Sequence, residues 1–382
     1  MEKEPVRIGI VSYNINCNFT NYGSALLAWA LSRAVERESK GKIKPVLVDY
    51  CPNAHLESDV LNPTKCMWDK DDATRKNIEM LLPQIHENYL KFEDFYTNQF
   101  RRTKKKYDYS NFNDIVRDEE LDGFICGSDT IFCIDEFKGF DDGFYANYPC
   151  MKSSTCVSYA ASFGDSHFTE ADYETLNDRL GNFSAISLRE SEMLQYVKDH
   201  SKVRVEQVID PTLLLDAEDY SEITADEVED EPYLLLYSRR YNKEMEEFAE
   251  ELAKRKGLKI IEISIRACNS DRHDLRYEAG VEEFLSLVKH AECVVTNSFH
   301  GIIFSVQFRR PFHCFSREQG DSKIAELLNL FGLQGRMVRN GQPNVDDDID
   351  YTQVWKRIKE ARSRSLEFLG YELDLLSKTD EH

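Results

Sequence analysis

The sequence predicts an α/β protein built of two αβα domains that face a shared cleft. Short apolar runs such as Val6–Tyr13 alternate with amphipathic helical patterns, which is typical of βαβ units with parallel sheets. The alternation starts again at Tyr233, after an acidic segment that has no strand pattern. The chain has 382 residues and is therefore long enough for two hydrophobic cores.

The composition narrows the partners that the protein could have. With 48 basic and 69 acidic residues the formal charge is -21, which repels phosphate backbones and argues against nucleic acid as a general partner. Ten cysteines occur without a CxxC pair or a zinc-ligand spacing, so we expect reduced thiols and no metal site. The N-terminus lacks an apolar signal segment, and no apolar run approaches the roughly 18 residues that span a bilayer. We therefore expect a cytoplasmic protein with at most peripheral membrane contact.

The first predicted βα unit carries a candidate binding loop. The strand Val6–Tyr13 is followed by a polar loop and by an amphipathic helix from about Gly23. Asn21, Gly23 and Ser24 could present N–H groups and hydroxyls to a phosphate or a sugar, although a plain turn would show the same residues. Because neither GxGxxG nor GxxxxGK[ST] is present, the nucleotide-binding signal is weak.

Residues 51–109 interrupt the strand pattern and predict a helical insertion. Its helices are expected near Asp72–Leu82 and Glu87–Phe100, and it ends close to the basic run Arg101–Lys106. A solvated face is the simpler interpretation of this run. The alternative is a loop that binds an anionic substrate or approaches a phospholipid surface.

Three further predicted strands of the first domain end in polar residues. Ser128 and Asp129 follow the first, Ser162 follows the second, and Arg189 ends the third. Ligands of open α/β sheets bind at the carboxyl ends of strands, so these side chains are candidates for a site. Asp129 could cap the next segment or handle a proton. Arg189 could bind a carboxylate or phosphate, or form a structural ion pair with Glu190.

The domain limits follow from the same pattern. We place the first domain at residues 1–225 and the second at 226–345, joined through the acidic segment Asp216–Glu231. A loop at 266–280 in the second domain could be a mobile flap. The remaining residues, 346–382, contain a long amphipathic helix that could cross back to brace the first domain.

The stretch Cys293–Gly301 is the strongest local indication of a site. A short buried strand leads into the turn and N-cap residues Thr296–Ser298, and helical spacing follows Gly301. His300 is therefore expected where a strand turns into a helix, a position whose free N–H groups can bind an anion. A histidine satisfied by neighbouring hydrogen bonds would fit the pattern equally well. Beyond it, Arg317 and Lys323 could be anion contacts or ordinary surface charges.

Six motifs occur along the chain in a fixed order. They are Asn21-Tyr-Gly-Ser24, Gly127-Ser-Asp129, Ser158-Tyr-Ala-Ala-Ser-Phe-Gly164, Ile186-Ser-Leu-Arg-Glu190, Asp210-Pro-Thr-Leu-Leu214 and Thr296-Asn-Ser-Phe-His-Gly301. In this order they resemble the polysaccharide pyruvyl transferase family, from about Arg7 to Leu333. The insertion and the C-terminal helix lie outside the resemblance.

The resemblance implies a fold and a reaction. Members of that family have two Rossmann-like domains as in GT-B glycosyltransferases, and they move a pyruvyl group from phosphoenolpyruvate onto two hydroxyls of a sugar, forming a ketal and releasing phosphate. The partners implied are phosphoenolpyruvate as co-substrate and a glycan or lipid-linked sugar acceptor, without a cofactor or a metal ion.

The resemblance also assigns roles to the candidate residues. Histidine suits acid/base chemistry near neutral pH, so His300 is the expected catalytic group, with Asp129 as its orienting partner or a second acid/base. The residues expected to bind the donor and its phosphate are Arg189, Asn297, Ser298, Gly301, Arg317 and Lys323. The residues expected to bind the acceptor are Asn21, Gly23, Ser24, Ser128 and Ser162.

One departure from the family pattern keeps the function open. Several members have an Arg-Leu-His-Gly form of the last motif, whereas this chain has Ser298-Phe-His-Gly301, and a serine cannot supply the positive charge of an arginine. Three hypotheses remain: a ketal pyruvyltransferase, a GT-B glycosyltransferase that uses a nucleotide sugar, and a non-catalytic glycan-binding protein.

Overall fold

Two parallel β-sheets, one in each half of the chain, form the framework of the protein. The structure is a computed structural model that describes residues 5–65, 72–226, 229–265, 267–317, 321–339 and 348–378. The first sheet has the strand order β2-β1-β3-β4-β5-β6, and all of its neighbouring strands are parallel. These strands are β1 (Val6–Val11), β2 (Ile43–Leu47), β3 (Gly123–Cys126), β4 (Thr155–Ala161), β5 (Ala185–Leu188) and β6 (Val205–Gln207).

The second sheet is smaller and equally parallel. Its order is β11-β10-β7-β8-β9. Its strands are β7 (Tyr233–Tyr237), β8 (Lys259–Ile263), β9 (Asp274–Leu275), β10 (Cys293–Thr296) and β11 (Phe312–Cys314). The strand β10, which leads to His300, lies between two neighbours and is buried throughout. Its unbroken apolar and β-branched run is typical of a strand covered on both faces.

Helices connect the strands in the alternation that the sequence predicts. Those of the first half are α1 (Tyr22–Glu38), α2 (Asp72–Gln99), α3 (Ile115–Glu119), α4 (Ile134–Phe137), α5 (Pro149–Lys152), α6 (Glu170–Leu180), α7 (Leu194–His200) and α8 (Ala217–Ser221). Those that follow are α9 (Lys243–Lys256), α10 (Val281–His290), α11 (Phe299–Gln307), α12 (Asp321–Phe331) and α13 (Tyr351–Leu376).

The hydrophobic core joins the two halves. One apolar cluster contains Ile8 and Ile10 of β1 together with Leu235 of β7, so one face of each sheet belongs to the same core. Because side chains alternate along a strand, Leu234 and Leu236 point the other way, into a separate cluster against α9. A further cluster covers the other face of the first sheet.

The insertion differs from its prediction in one respect. The two helices expected at 72–82 and 87–100 form the single helix α2, with Pro83 inside it. Proline removes one helical hydrogen bond, at a cost of about 3 kcal/mol. Ile78 and Leu81 before Pro83 and Ile85 after it are all buried in one cluster, so packing on both sides of the proline offsets that cost.

The loop expected to be a flap contributes a strand instead. Within it, β9 pairs with β8 at the edge of the second sheet. The buried His273 lies beside it, with Nδ1 at 2.5 Å from Oε2 of Glu262 and Nε2 at 3.3 Å from Oε1 of Glu250. Arg266, the first residue of the expected flap, lies outside the described residues.

The C-terminal helix α13 packs against α1 and β4 of the first half and against α12. Ser365 Oγ accepts a hydrogen bond from the Ile209 N–H at 3.0 Å, and Arg362 Nε donates to the Leu213 carbonyl at 2.7 Å. The predicted domain limits at residues 1, 345, 346 and 382 lie outside the described residues. Among the helices of the described ranges, none combines the length and apolar character needed to cross a membrane.

Candidate active site

His300 lies in the first turn of α11, directly after the turn that ends β10. Ser298 caps this helix, because its Oγ accepts a hydrogen bond from the Gly301 N–H at 3.2 Å. The Ser298 N–H in turn donates to Thr296 Oγ1 at 3.0 Å. These local bonds fix the strand-to-helix turn that the sequence predicts, and they leave the imidazole 7% exposed.

The imidazole contacts a carboxylate from the other half of the chain. His300 Nε2 lies 3.5 Å from Oδ2 of Asp210, which follows β6 and is 2% exposed. Burial alone would raise the pKa of Asp210, but His300, Arg189 and the Thr212 hydroxyl outweigh it and hold that pKa well below its usual value. Asp210 is therefore ionised at neutral pH and can stabilise a proton on His300.

The far end of α11 is tied to the same loop. Gln307, the last residue of this helix, donates through Nε2 to the carbonyl oxygens of Thr212 at 2.7 Å and Leu215 at 3.1 Å. The helix that carries His300 is thus attached to the Asp210 loop at both of its ends.

Arg189 links three carboxylates around this contact. Its Nε donates to Glu190 Oε1 at 2.6 Å and its Nη1 donates to Asp210 Oδ2 at 3.0 Å. Its Nη2 lies 3.9 Å from Asp129 Oδ1, and the guanidinium stacks on the Phe299 ring at 4.7 Å. Burial would lower the pKa of Arg189, but the three carboxylates raise it above its usual value. The charge of Arg189 is thus already balanced by three carboxylates. Its main contribution is to fix the positions of Asp129, Glu190 and Asp210, and it has little charge left to attract a further anion.

Asp129 is close to this cluster but does not contact His300 through an ion pair. It accepts hydrogen bonds from Ser24 Oγ at 2.8 Å and from the Thr130 N–H at 2.9 Å. Burial raises the pKa of Asp129. Arg189, His300, the Ser24 hydroxyl and Lys323 together lower it by more, so the net shift of the pKa is downward. The carboxylate that contacts the imidazole is Asp210, and the role expected of Asp129 as an orienting group or second acid/base stays a prediction.

Gly23 closes the other side of the imidazole. A Cβ atom on this residue would lie 2.0 Å from His300 Nδ1, so only glycine leaves room for the ring. Asn21 caps α1 and accepts the Gly23 N–H at 3.0 Å, which holds the first turn of α1 in place. Both residues shape the histidine environment.

The serines predicted to bind the acceptor are fully buried and engaged within the protein. Ser24 donates to Asp129, and Ser128 Oγ donates to the Ala160 carbonyl at 2.6 Å. Ser162 Oγ accepts the Gly164 N–H at 3.1 Å. These hydroxyls have no exposed surface and are engaged around the Asp129 loop, so their contact with an acceptor stays a prediction.

Two of the predicted donor ligands have structural contacts of their own. Asn297 is fully buried; its Oδ1 accepts the Arg239 N–H at 2.9 Å and its Nδ2 donates to the Arg240 carbonyl at 2.8 Å. Gly301 packs so closely that a Cβ atom would lie 2.6 Å from Thr296 Oγ1. Asn297 thus braces the neighbouring loop and Gly301 allows α11 to approach β10, and donor binding by either residue stays a prediction.

Arg317 and Lys323 lie at the cleft beside the second sheet. Lys323 is 6% exposed, and its pKa is below the usual value. Burial is the main cause, Arg189 and Arg317 add to it, and Glu190 opposes it. The pKa of Arg317 is also lowered, first by burial and then by Arg239 and Arg240. Neighbouring cations that lower the pKa values of Arg317 and Lys323 indicate a positive potential there, which would stabilise an anion.

Two cavities adjoin the cluster and share Glu190, Lys323 and Glu326. One has a volume of about 550 Å³ and is also lined by Arg189, Asp210, Phe299 and residues of α13. The other, of about 560 Å³, lies over the ends of β4 and β5. Pockets of a few hundred Å³ accommodate small ligands, so the cleft has room for a sugar and a small donor. The described ranges contain no set of three or more His, Cys, Asp or Glu side chains arranged for a metal ion.

Sequence reasoning missed Asp210 as the partner of His300. The residue opens the motif Asp210-Pro-Thr-Leu-Leu214, so the signal was present, but nothing local indicated its contact with a residue 90 positions later. Arg239 was also missed, because it follows a strand without any motif of its own.

Comparisons with known proteins agree with this architecture. A family model described as polysaccharide pyruvyl transferase matches residues 21–319. No curated protein matches the chain significantly. Among solved structures, S. aureus MnaA with UDP is 13% identical with a TM-score of 0.52, and the alignment covers 98% of each chain. The UDP-GlcNAc 2-epimerase of Methanocaldococcus jannaschii is 11% identical with a TM-score of 0.52, covering 96% of this chain and all of the other. The fold is therefore GT-B-like, with two Rossmann-like αβα domains facing a cleft.

Proposed function

Because this chain belongs to the polysaccharide pyruvyl transferase family, we propose that it transfers a pyruvyl group from phosphoenolpyruvate onto two hydroxyls of a sugar. The acceptor is a unit of a polysaccharide or of its lipid-linked precursor. The observation that carries the proposal is the contact between His300 and Asp210, which lines one of the two cavities together with Arg189.

The reaction requires protons to move at two oxygens and one carbon. One sugar hydroxyl attacks C2 of the enol and loses its proton, while the methylene carbon gains a proton and becomes a methyl group. The second hydroxyl then replaces phosphate at C2, and its proton leaves with the phosphate. In this proposal His300 accepts the proton of the attacking hydroxyl, and the ionised Asp210, 3.5 Å from its Nε2, stabilises the resulting imidazolium.

The donor needs positive charge for its phosphate and carboxylate. Lys323 lines both cavities, and Arg317 lies next to it at the edge of the second sheet. Both remain our candidates for donor binding. Arg189 supports them indirectly, because it fixes Asp129 and Asp210 rather than offering an unopposed charge.

Phosphate release tests the proposal directly. Purified protein is incubated with phosphoenolpyruvate and a panel of oligosaccharides, phosphate is measured, and the ketal is identified by NMR. General acid/base catalysis contributes about 10²–10⁴-fold, so His300→Gln and Asp210→Asn should each lower the rate by that order. His200→Gln, on the exposed surface of α7, is the matched control and should leave the rate unchanged.

Release of phosphate by His300→Gln at the rate of the unchanged protein would remove His300 from the catalytic role. Two outcomes would overturn the transferase proposal itself. The first is a rise in thermal stability with UDP-sugars, but none with phosphoenolpyruvate, which would favour a glycosyltransferase. The second is binding of acceptor glycans without any donor, which would leave only the glycan-binding hypothesis.

A further inference from the structure

Arg239 occupies a fixed position at the carboxyl edge of the second sheet. It follows β7 by two residues, and its backbone N–H is held by the buried side chain of Asn297. On the other side of β10, the loop after β11 carries Arg317 and is tied to the first loop by Asn242, whose Nδ2 donates to the Ser316 carbonyl at 2.9 Å. The two arginines thus flank the turn that carries His300.

The guanidinium of Arg239 forms no ion pair with a carboxylate of the part of the chain that the structure describes. Among the described residues, no carboxylate lies within 4 Å of its guanidinium, although the residue is partly buried. Arg189, at the opposite side of the cleft, contacts three carboxylates. A partly buried cation without a partner is costly, and such costs are typical of binding sites. An anionic ligand would supply the missing counterion.

The hydroxyl of Tyr237 is a second unsatisfied group at the same place. Tyr237 ends β7 and is 2% exposed, and its hydroxyl has no hydrogen-bond partner among the described residues. Burial raises the pKa of this phenol, while Arg239, the Ser298 hydroxyl and Arg317 lower it. All three are hydrogen-bond donors. The Tyr237 hydroxyl and the Arg239 guanidinium therefore lie together, and an anionic acceptor would receive hydrogen bonds from both.

The space at this point is small. A crevice of about 50 Å³ is lined by Tyr237 and Arg239 together with Phe19, Thr20, Tyr22, Ser238, Ile263, Ser264, Ile265 and Tyr277. This volume suits a group of a few heavy atoms, such as a phosphoryl group. Together with the positive charge of Arg239, it favours a compact oxyanion as the ligand class.

We propose that Arg239 and the Tyr237 hydroxyl form an oxyanion subsite for a phosphate group, with Arg317 adding positive potential. The inference rests on the proposed function in one respect: the group bound there is the phosphate of the donor. The subsite stabilises the negative charge that develops on phosphate as its bond to C2 breaks, and the proton from the second sugar hydroxyl completes the inorganic phosphate. It lies apart from Arg189, which serves Asp129 and Asp210.

Calorimetric titration with inorganic phosphate tests the subsite without any turnover. The unchanged protein should bind phosphate, Arg239→Gln should raise the Kd at least about tenfold, and Tyr237→Phe should raise it about threefold to tenfold. Lys243→Gln, which removes one positive charge from an exposed position on α9, is the matched control and should bind as before. Thermal unfolding checks that each variant is folded.

The proposal is overturned if the unchanged protein does not bind phosphate, or if Arg239→Gln and Tyr237→Phe bind it as tightly as the unchanged protein does. Measuring transfer on the same samples separates this inference from the function. Arg239-dependent phosphate binding without any ketal product leaves the subsite standing and removes the proposed function. Transfer that proceeds unchanged in Arg239→Gln keeps the function and removes the subsite.

Discussion

At the residue scale, the closest approach in the site is that of Gly23 to His300. Alanine is normally better than glycine in a helix by about 0.5–1 kcal/mol. At this position of α1, however, its methyl group would lie 2.0 Å from the imidazole Nδ1. Gly23→Ala should therefore displace the ring from Asp210 and lower the transfer rate by about 10²-fold or more.

The matched control is another helical glycine. A Cβ atom on Gly370 in α13 would meet nothing within 4 Å, so Gly370→Ala should raise thermal stability slightly and leave transfer unchanged. Transfer rates and unfolding midpoints of both variants are compared with those of the unchanged protein. Normal transfer by Gly23→Ala would mean that the position of the imidazole is not critical.

The sequence predicts individual site residues only where the signal is local. His300 is recognisable because a strand, an N-cap and a helical pattern meet within a few residues. The partner of His300 is not recognisable in this way, since Asp129 and Asp210 both follow strands of the first sheet and only the packing of α11 decides which one it meets. The hydroxyls of Ser24 and Ser128 show the same difficulty, because burial is a property of the assembled core.

At the scale of elements, the positions of strands and helices follow the sequence well and their ends follow it less closely. The first strand was expected at Val6–Tyr13 and ends at Val11. The break expected in α2 fails because tertiary packing of Ile78 and Ile85 overrides the local preference of Pro83. The short strand β9 has two residues, too few to show any alternation.

The helix α13 contains a buried carboxyl group that lowers stability as the pH rises. Glu372 is 0% exposed, and neither of its oxygens has a hydrogen-bond partner among the described residues. Burial raises its pKa well above the usual value, with only partial compensation from Arg204. The folded protein therefore keeps the proton of Glu372 at pH values above about 4.3, where the unfolded chain releases it. Once the pH exceeds both pKa values, this difference lowers the free energy of unfolding by about 1.4 kcal/mol for each unit by which folding raises the pKa.

Glu372→Gln removes this dependence while keeping the size of the side chain. The unfolding midpoint should rise, and it should rise more at about pH 8 than at about pH 5, because the unfolded chain is stabilised by ionisation only as the pH increases. Differential scanning calorimetry at both pH values measures the effect. Equal shifts at the two pH values, or a lower midpoint at about pH 8, would show that Glu372 is ionised or paired in the folded protein.

At the scale of the whole molecule, aromatic stacking and hydrogen bonds hold the halves together. Tyr22 of α1 stacks on Phe284 of α10 with ring centres 4.5 Å apart, and its hydroxyl donates to the Ala279 carbonyl at 2.7 Å. Asn88 of α2 donates to the same carbonyl at 2.6 Å. Since one hydrophobic cluster also spans both sheets, we expect the protein to unfold in a single transition.

Tyr22→Ala should separate the unfolding of the two halves. Truncating a buried aromatic side chain costs about 3–5 kcal/mol, and here the loss falls on the contact between the halves. Calorimetry should show a lower first midpoint and two separate transitions. Tyr109→Ala, at a position 61% exposed, should leave the single transition unchanged. A single transition in Tyr22→Ala, shifted as a whole, would indicate that the shared core alone couples the halves.

The attachment of α11 at both ends has a consequence for how such a protein can evolve. His300 belongs to the second half, whereas Asp210 and the carbonyl oxygens that receive Gln307 belong to the first. A recombinant that joined the first half of this chain to the second half of a distant relative would have to match the histidine contact and the glutamine anchor together. Recombination at the acidic connection would therefore disrupt both contacts unless the incoming half preserved them.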